Sequence, residues 1–316
     1  MFSPERDDRV ITRFQKMRLV GHPHIDRQIL EIFYKYAGNS EQLERLKNLI
    51  SNERDYHDLV DLVARMSLPY RQLLKELYWN TPVNQSSIYA IKMMVDIDNT
   101  TLENSTTGPI TYVNRELIPG ITSLLRYFSG DGETSVTFLS ARPALIERQS
   151  IDMINSMLSS KLSFSFSTGT VNPILYYIKG KFNGDLETSY LKMAEEKFSN
   201  YLQLKELYPM NRFIFLGDDT QGDPYIAYKL ANHSGSNWTA IRRVTGRQFP
   251  VEITSHQRIY WHSSYYELAW ILLQNGLATR EPLVSMLSNE YQSTYQAHLY
   301  HQGQVSRDHY YIKMLI

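Results

Sequence analysis

The chain has 316 residues, 42% of them apolar, with 33 Lys plus Arg balanced by 33 Asp plus Glu and no cysteine. That length sets a prior of about two domains with material for a real core, and the zero net charge supplies no long-range field toward nucleic acid or anionic lipid. Without cysteine, disulfides, thiolate metal sites and a cysteine nucleophile are excluded.

The opening stretch, MFSPERDDRVITRF, is charged where a signal peptide is apolar, and the longest apolar runs fall well short of the roughly 20 residues that span a bilayer. The chain therefore reads as cytoplasmic, with peripheral attachment to a membrane left open. From Ser3 to Tyr78, apolar residues spaced by three and four predict helices over residues 26–37, 40–50 and 55–66, with Ser40 and Asp55 placed as N-caps. Residues 1–88 thus read as a helical N-terminal domain, closed by the turn-forming run WNTPVNQSS.

Residues 89–255 change pattern. IYAIKMMVDID, SVTFLSA and NRFIFLGDD read as buried strands, while residues 117–128, 143–158 and 188–208 read as amphipathic helices. Strands alternating with helices predict an α/β domain on a parallel sheet with helices on both faces. In such sheets ligands collect at the carboxyl ends of the strands, where all three runs place acidic or small polar residues. Residues 256–316 read as a helical C-terminal region rich in Tyr and His, most clearly amphipathic over residues 263–277. Its histidines lack the helical spacing of a zinc site, and its tyrosines read as packing residues.

The strand ends carry the chemistry. A strand finishing Asp96-Ile97-Asp98 sends both carboxylates to one side, unless the backbone turns sharply after the first. Two adjacent anions repel. A hard cation such as Mg²⁺, which takes carboxylate and phosphate oxygens, would make the pair favourable; two solvated loop carboxylates are the plain alternative. FLSARP puts Ser140 directly after an apolar strand and before a helix beginning near Pro143, where a hydroxyl and free amides can bind an anion. FIFLGDDTQGDP ends a third strand with Asp218, Asp219 and Asp223 around Gly217 and Gly222. Three such strand ends predict one site.

In this order and at these separations, DIDNT, LSARP, a lysine in EEKFSNYLQLKELYP and GDDTQGD resemble the four motifs of the haloacid dehalogenase (HAD) superfamily of phosphohydrolases. More narrowly, the block resembles the catalytic domain shared by lipins and the fungal actin-patch type of phosphatidate phosphatase. The lipin-like domain of phosphatidylinositol transfer proteins is a relative, and AIRRV resembles the IR strand of the actin-patch branch. The resemblance covers about residues 90–250 and neither helical end. Asn99 stands where those families carry Gly or Asp, Ala144 where the actin-patch branch carries Trp, and Asp219 where it carries Ser.

The resemblance implies a HAD-like Rossmannoid fold without a large cap, since the segment from Thr101 to Ser135 is short, and it implies Mg²⁺ as cofactor. It makes Asp96 the nucleophile, Asp98 the acid and base, and Ser140, the amide of Ala141 and Lys197 the phosphate-binding groups. Asp96, Asp98 through its backbone carbonyl, Asp218 and Asp223 would surround the metal, with Asp219 the alternative to Asp223, and Lys179, Lys181 and Lys192 the alternatives to Lys197. The implied substrate is phosphatidate or a related lipid phosphate at a membrane surface, converted to diacylglycerol. A sugar, protein or polynucleotide phosphomonoester and a non-catalytic phospholipid-binding module are the alternative readings. Nucleic acid as such is not an expected partner, and nothing in the sequence sets the oligomeric state.

Overall fold

The computed structural model describes residues 3–16, 21–51, 59–84, 90–103, 116–130, 136–143, 152, 154, 158, 164–169, 184–296 and 302–315. The chain begins with helices α1 (Pro4–Lys16), α2 (Pro23–Tyr34), α3 (Ser40–Ser51), α4 (Leu59–Arg65) and α5 (Leu68–Asn80). The central part runs β1 (Ile91–Val95), α6 (Ile121–Ser129), β2 (Val136–Pro143), β3 (Phe164–Gly169), α7 (Leu186–Leu207), β4 (Arg212–Asp218), α8 (Asp223–His233) and β5 (Trp238–Arg242). It continues through α9 (Val251–Thr254), β6 (Ile259–His262), α10 (Tyr265–Gln274), α11 (Arg280–Gln296) and α12 (Gln302–Leu315).

The six strands form one all-parallel sheet in the order β3-β2-β1-β4-β5-β6, a Rossmann-like α/β arrangement. The chain steps outward from β1 to β3 and then returns to the other side of β1 with β4. That reversal opens a crevice at the carboxyl ends of β1 and β4, the place where open α/β sheets bind ligands.

Both faces of the sheet are apolar, as a parallel sheet requires. Met94, Phe213 and Phe215 join a core with α7, α8 and the N-terminal helices, whereas Met93, Val95, Ile214 and Leu216 join a second core with α6, α10, α11 and α12. This alternation along β1 and β4 is the two-residue period of a strand buried on both sides. α6 places Ile121, Leu124, Leu125 and Phe128 on the second core, each burial stabilising by about 2 kcal/mol.

The N-terminal helices share the first core and are also tied to the amino end of the sheet. Lys92 near the start of β1 donates to Asn48 of α3, and Tyr208, just past α7, donates its hydroxyl to the Lys47 carbonyl at 3.5 Å. These contacts lie at the opposite edge from the strand carboxyl ends. On the other face, Glu290 of α11 accepts from the amides of Gly120 and Ser123, both at 2.8 Å, and so satisfies the free N–H groups that begin α6. Gly120 has φ 88, and a Cβ there would meet Tyr265 Cβ at 2.9 Å, so this corner takes only glycine.

Two expectations change. The stretch after His256 does not begin helical: Ile259–His262 forms β6, the edge strand, too short at four residues to show a period. β2 does not stop at Ala141 but pairs with β3 as far as Pro143. Leu139 pairs with Ser167 and Pro143 with Gly169, so Ser140, Ala141 and Arg142 sit in a bulge instead of past the strand end. No described helix is long and apolar enough to cross a membrane.

Candidate functional site

After Asp96 the backbone turns sharply, so Ile97 and Asp98 do not continue the strand. Thr101 N and Leu102 N both donate to Ile97 O, at 3.0 and 2.9 Å, and Asn99 N donates to Leu102 O at 2.8 Å. The turn needs one left-handed residue, and Asn99 supplies it at φ 56; asparagine tolerates that region better than most side chains. In consequence Asp96 is buried at 9% exposure while Asp98 is half-buried. Asp96 N donates to Leu216 O of β4 at 2.9 Å, and Thr101 Oγ1 donates to Asp96 O at 2.8 Å, so its backbone is fixed on both sides.

Across the crevice, Asp218 ends β4 and Asp223 opens α8. Asp218 Oδ1 accepts from Thr220 N at 2.6 Å and Oδ2 from Thr100 Oγ1 at 3.3 Å. Asp223 Oδ2 accepts from Asp218 N at 3.3 Å. The carboxylate of Asp223 reaches this position because residue 217 is glycine: a Cβ there would lie 2.6 Å from Asp223 Oδ2. Gly222 has a similar role toward α7, since its Cβ would lie 2.4 Å from the Tyr190 carbonyl oxygen, a backbone atom that cannot swing away.

That close approach brings Lys197 of α7 into the cluster. Its Nζ donates to Asp96 Oδ1 at 2.7 Å and to Asp223 Oδ1 at 2.5 Å, and the side chain is 4% exposed. Carboxylate oxygens of Asp96, Asp218 and Asp223 all lie within 4.8 Å of one another. Two ionised carboxylates at such a distance repel by on the order of 3 kcal/mol at an effective dielectric of about 20. With all three carboxylates ionised, one lysine would leave two negative charges uncompensated.

The titration behaviour follows. Burial raises the Asp96 carboxyl well above its ordinary range, Asp223 adds to the rise, and Lys197 opposes it. Burial and Asp223 likewise push Asp218 up to about 7, against the hydrogen bond from Thr220. Burial pulls the Lys197 ammonium down, but Asp223 and Asp96 outweigh it and hold the group charged. Hard oxygen donors with a surplus of two negative charges suit a divalent cation such as Mg²⁺. Asp98 is not among the three converging carboxylates; its charge contributes to the rise at Asp96.

Among the alternatives, Asp223 enters the cluster and Asp219 does not. Asp219 Oδ1 accepts from Val244 N and Thr245 N at 2.8 and 2.9 Å, and Oδ2 from Gly246 N at 3.2 Å, so it ties the loop after β5 to the loop after β4. Lys192 is exposed on α7, and Lys179 and Lys181 lie outside the described residues. Ser140 and Ala141 lie in the β2 bulge, with side chains outside the described ones. Ala144 lies outside the described residues as well.

Several side chains of the site receive no role from the sequence, although Thr100 closes DIDNT and Arg242 lies in AIRRV. Thr100 and Thr101 serve Asp218 and Asp96, while Arg242 and Tyr265 reach the turn after β1 from distant elements. A threonine after an acidic strand end is a weak cue on its own, and AIRRV marks a strand without showing that its first arginine reaches a backbone carbonyl. In comparisons with known proteins, no family model, no curated protein and no solved structure matches the chain.

Proposed function

We propose that this protein is a Mg²⁺-dependent phosphatase that works through an aspartyl-phosphate, with phosphatidate as its substrate. The observation that carries the reading is the convergence of Asp96, Asp218 and Asp223 at the β1–β4 crevice, with Lys197 bridging two of them. These residues come from separate motifs that resemble those of HAD phosphohydrolases, and their meeting supports a common origin for the pattern.

Asp96 attacks phosphorus through a carboxylate oxygen as the bond to the leaving oxygen breaks, splitting one difficult displacement into two easier ones. Asp98, half-buried at the mouth, gives its proton to the leaving oxygen and then takes one from the water that releases phosphate. Lys197 holds Asp96 in place and carries positive charge against the phosphoryl oxygens, while the amides of the β2 bulge around Ser140 are candidates for binding them. A divalent ion held by Asp96 and Asp218, with Asp223 orienting Lys197 behind them, would supply further neutralisation of the phosphoryl charge.

The bulky substrate rests on what the site lacks room for. Leu102 bridges to Leu117, and Glu103 N donates to Glu116 O at 2.9 Å, so only 12 residues of sequence separate these two paired positions. That length is far below the roughly 50 residues of a folded cap domain. A site with no cap domain inserted after β1 favours a substrate whose own bulk, such as a lipid surface, covers the reacting group.

The test is phosphate release with and without Mg²⁺ on substrates running from para-nitrophenyl phosphate to phosphatidate, for the native protein and Asp98→Asn. Turnover is expected to need Mg²⁺, to vanish in the variant and to be greatest on phosphatidate. Turnover confined to soluble monoesters overturns the lipid assignment, and no turnover on any of them overturns the enzyme.

A further inference from the structure

The turn that carries Asp98 is held from behind by two buried donors on other elements. Arg242, the last residue of β5, donates Nη1 to Asn99 O at 2.9 Å, and Tyr265, the first of α10, donates its hydroxyl to Thr100 O at 2.6 Å. Arg242 is 9% exposed and Tyr265 fully buried. The two accepting carbonyls are consecutive, and the first belongs to Asn99, the left-handed residue. A backbone in that region stays there only when its surroundings over-determine it.

Both donors stand on rigid ground. Arg242 pairs with Asp218 of β4 on one side and with His262 of β6 on the other, and its carbonyl accepts from Asp219 N at 3.1 Å. Tyr265 is wedged against Gly120 and packs its ring 5.2 Å from that of His262. The outer half of the sheet therefore sets the position of the turn that leaves its central strand.

We propose that Arg242 and Tyr265 are positioning residues for Asp98: by fixing the carbonyls of Asn99 and Thr100 they aim its carboxyl at the leaving oxygen without touching substrate. The inference rests on the phosphatase reading and adds a consequence that is specific to the acid step. An alkoxide leaving group must receive a proton as its bond to phosphorus breaks; para-nitrophenolate departs as a stable anion and hardly needs one. A misplaced Asp98 costs the alkyl ester more than the nitrophenyl ester, whereas a loss of folded protein costs both equally.

The experiment uses the full chain carrying Tyr265→Phe, which keeps the ring and removes only the donor, with Arg242→Ala and Arg242→Lys beside it. kcat and KM are measured with Mg²⁺ on para-nitrophenyl phosphate and on a soluble alkyl phosphate. Tyr265→Phe is expected to lower kcat on the alkyl ester about 10-fold more than on the nitrophenyl ester, with KM little changed. Arg242→Ala should do the same, and Arg242→Lys should recover part of the loss. Equal losses on both esters, or none, overturn the proposal. Amide exchange at Thr101 and Leu102, whose N–H groups close the turn, gives a readout that needs no catalysis: about 10-fold faster exchange in Tyr265→Phe is expected. If the native protein hydrolyses neither soluble ester, exchange alone decides whether these side chains hold the turn, and unchanged protection overturns the proposal; the phosphatase reading itself fails only if phosphatidate is not hydrolysed either.

Discussion

Lys92 and Asp96 are four residues apart on one strand run, about 13 Å at the rise of a β-strand, and each is the centre of a buried charged cluster. Around Asp96 stand Asp218 and Asp223 with one lysine; around Lys92 stand Lys47 and one carboxylate, Glu44, which pairs with Lys47. One end is short of positive charge and the other short of negative. At the lysine end the shortage is met by aromatic faces: Lys92 Nζ lies 4.1 Å from the Tyr208 ring centroid, and Lys47 Nζ lies 4.3 and 4.5 Å from the rings of Tyr208 and Tyr78. Burial also pulls Lys92 down to about 7, with Glu44 opposing and Lys47 adding, so this end can shed its charge as a proton. At the carboxylate end the oxygens converge on one point beside a half-buried acid. A buried surplus of charge suits a ligand where oxygen donors converge; where rings cover it, the surplus is part of the packing.

The largest effect should separate the two ends by activity. Asp96→Asn is expected to lower phosphate release by on the order of 10³-fold or more, whereas Lys92→Met should leave kcat within about twofold. Comparable losses would join the clusters into one functional unit. Next comes stability in urea with divalent ions chelated. Glu44→Gln strands two ammonium groups without their carboxylate and should cost about 3 kcal/mol. Asp218→Asn relieves repulsion among the carboxylates and should stabilise by about 1 kcal/mol, the opposite sign for the same kind of substitution.

Titration sharpens the contrast. Lys92 has a folded pKa of about 7 against 10.5 for an ordinary lysine, so between those values the unfolded chain binds the extra proton and stability rises with pH. Unfolding free energy followed from pH 7 to about 10 should rise by up to about 1.4 kcal/mol per pH unit relative to Lys92→Met. Asp218 has its pKa raised from 3.8 to about 7, so in the ion-free protein its contribution is full below 3.8 and lost as pH rises to 7. Binding of Mg²⁺ must displace that proton. The rise in Tm produced by Mg²⁺ is therefore expected to grow by a few degrees between pH 6 and 8 in the native protein, and to be small at every pH in Asp218→Asn.

Much of the carboxylate end was legible in the sequence, because each element there ends in a residue type that an apolar strand does not otherwise tolerate. Asp96 after Met-Met-Val and Asp218 after Ile-Phe-Leu-Gly mark both the strands and their carboxyl ends. Lys197 was legible only through the order of the motifs, since a lysine on a helix is ordinarily solvated, and what buries it is the glycine at 222. The lysine end escaped notice: Lys92 reads as a polar residue at the start of a strand, and its partners Asn48 and Tyr208 come from helices far away. β3 and β6 were missed because both are short: the alternation of phenylalanine with serine in Phe164–Gly169 lasts four residues, and Ile259–His262 is only one residue pair deep on each face. Of the two courses open to the backbone after Asp96, an extended run or a sharp turn, the chain takes the turn, since the asparagine at 99 accepts a backbone that few residues do.

The Lys197–Asp96 bridge joins residues 101 apart, Tyr265 reaches Thr100 across 165, and Glu290 reaches Gly120 across 170. Each of these links closes a long loop before it returns any binding energy, and every strand pairing in a parallel sheet carries the same penalty. The chain is therefore a slow folder, and helices that need only neighbouring residues form well before the crevice does. On dilution from denaturant, helical circular dichroism should recover early and the proposed phosphate release last, because Asp96, Lys197, Asp218 and Asp223 do not share a neighbourhood until nearly the whole sheet has been laid down.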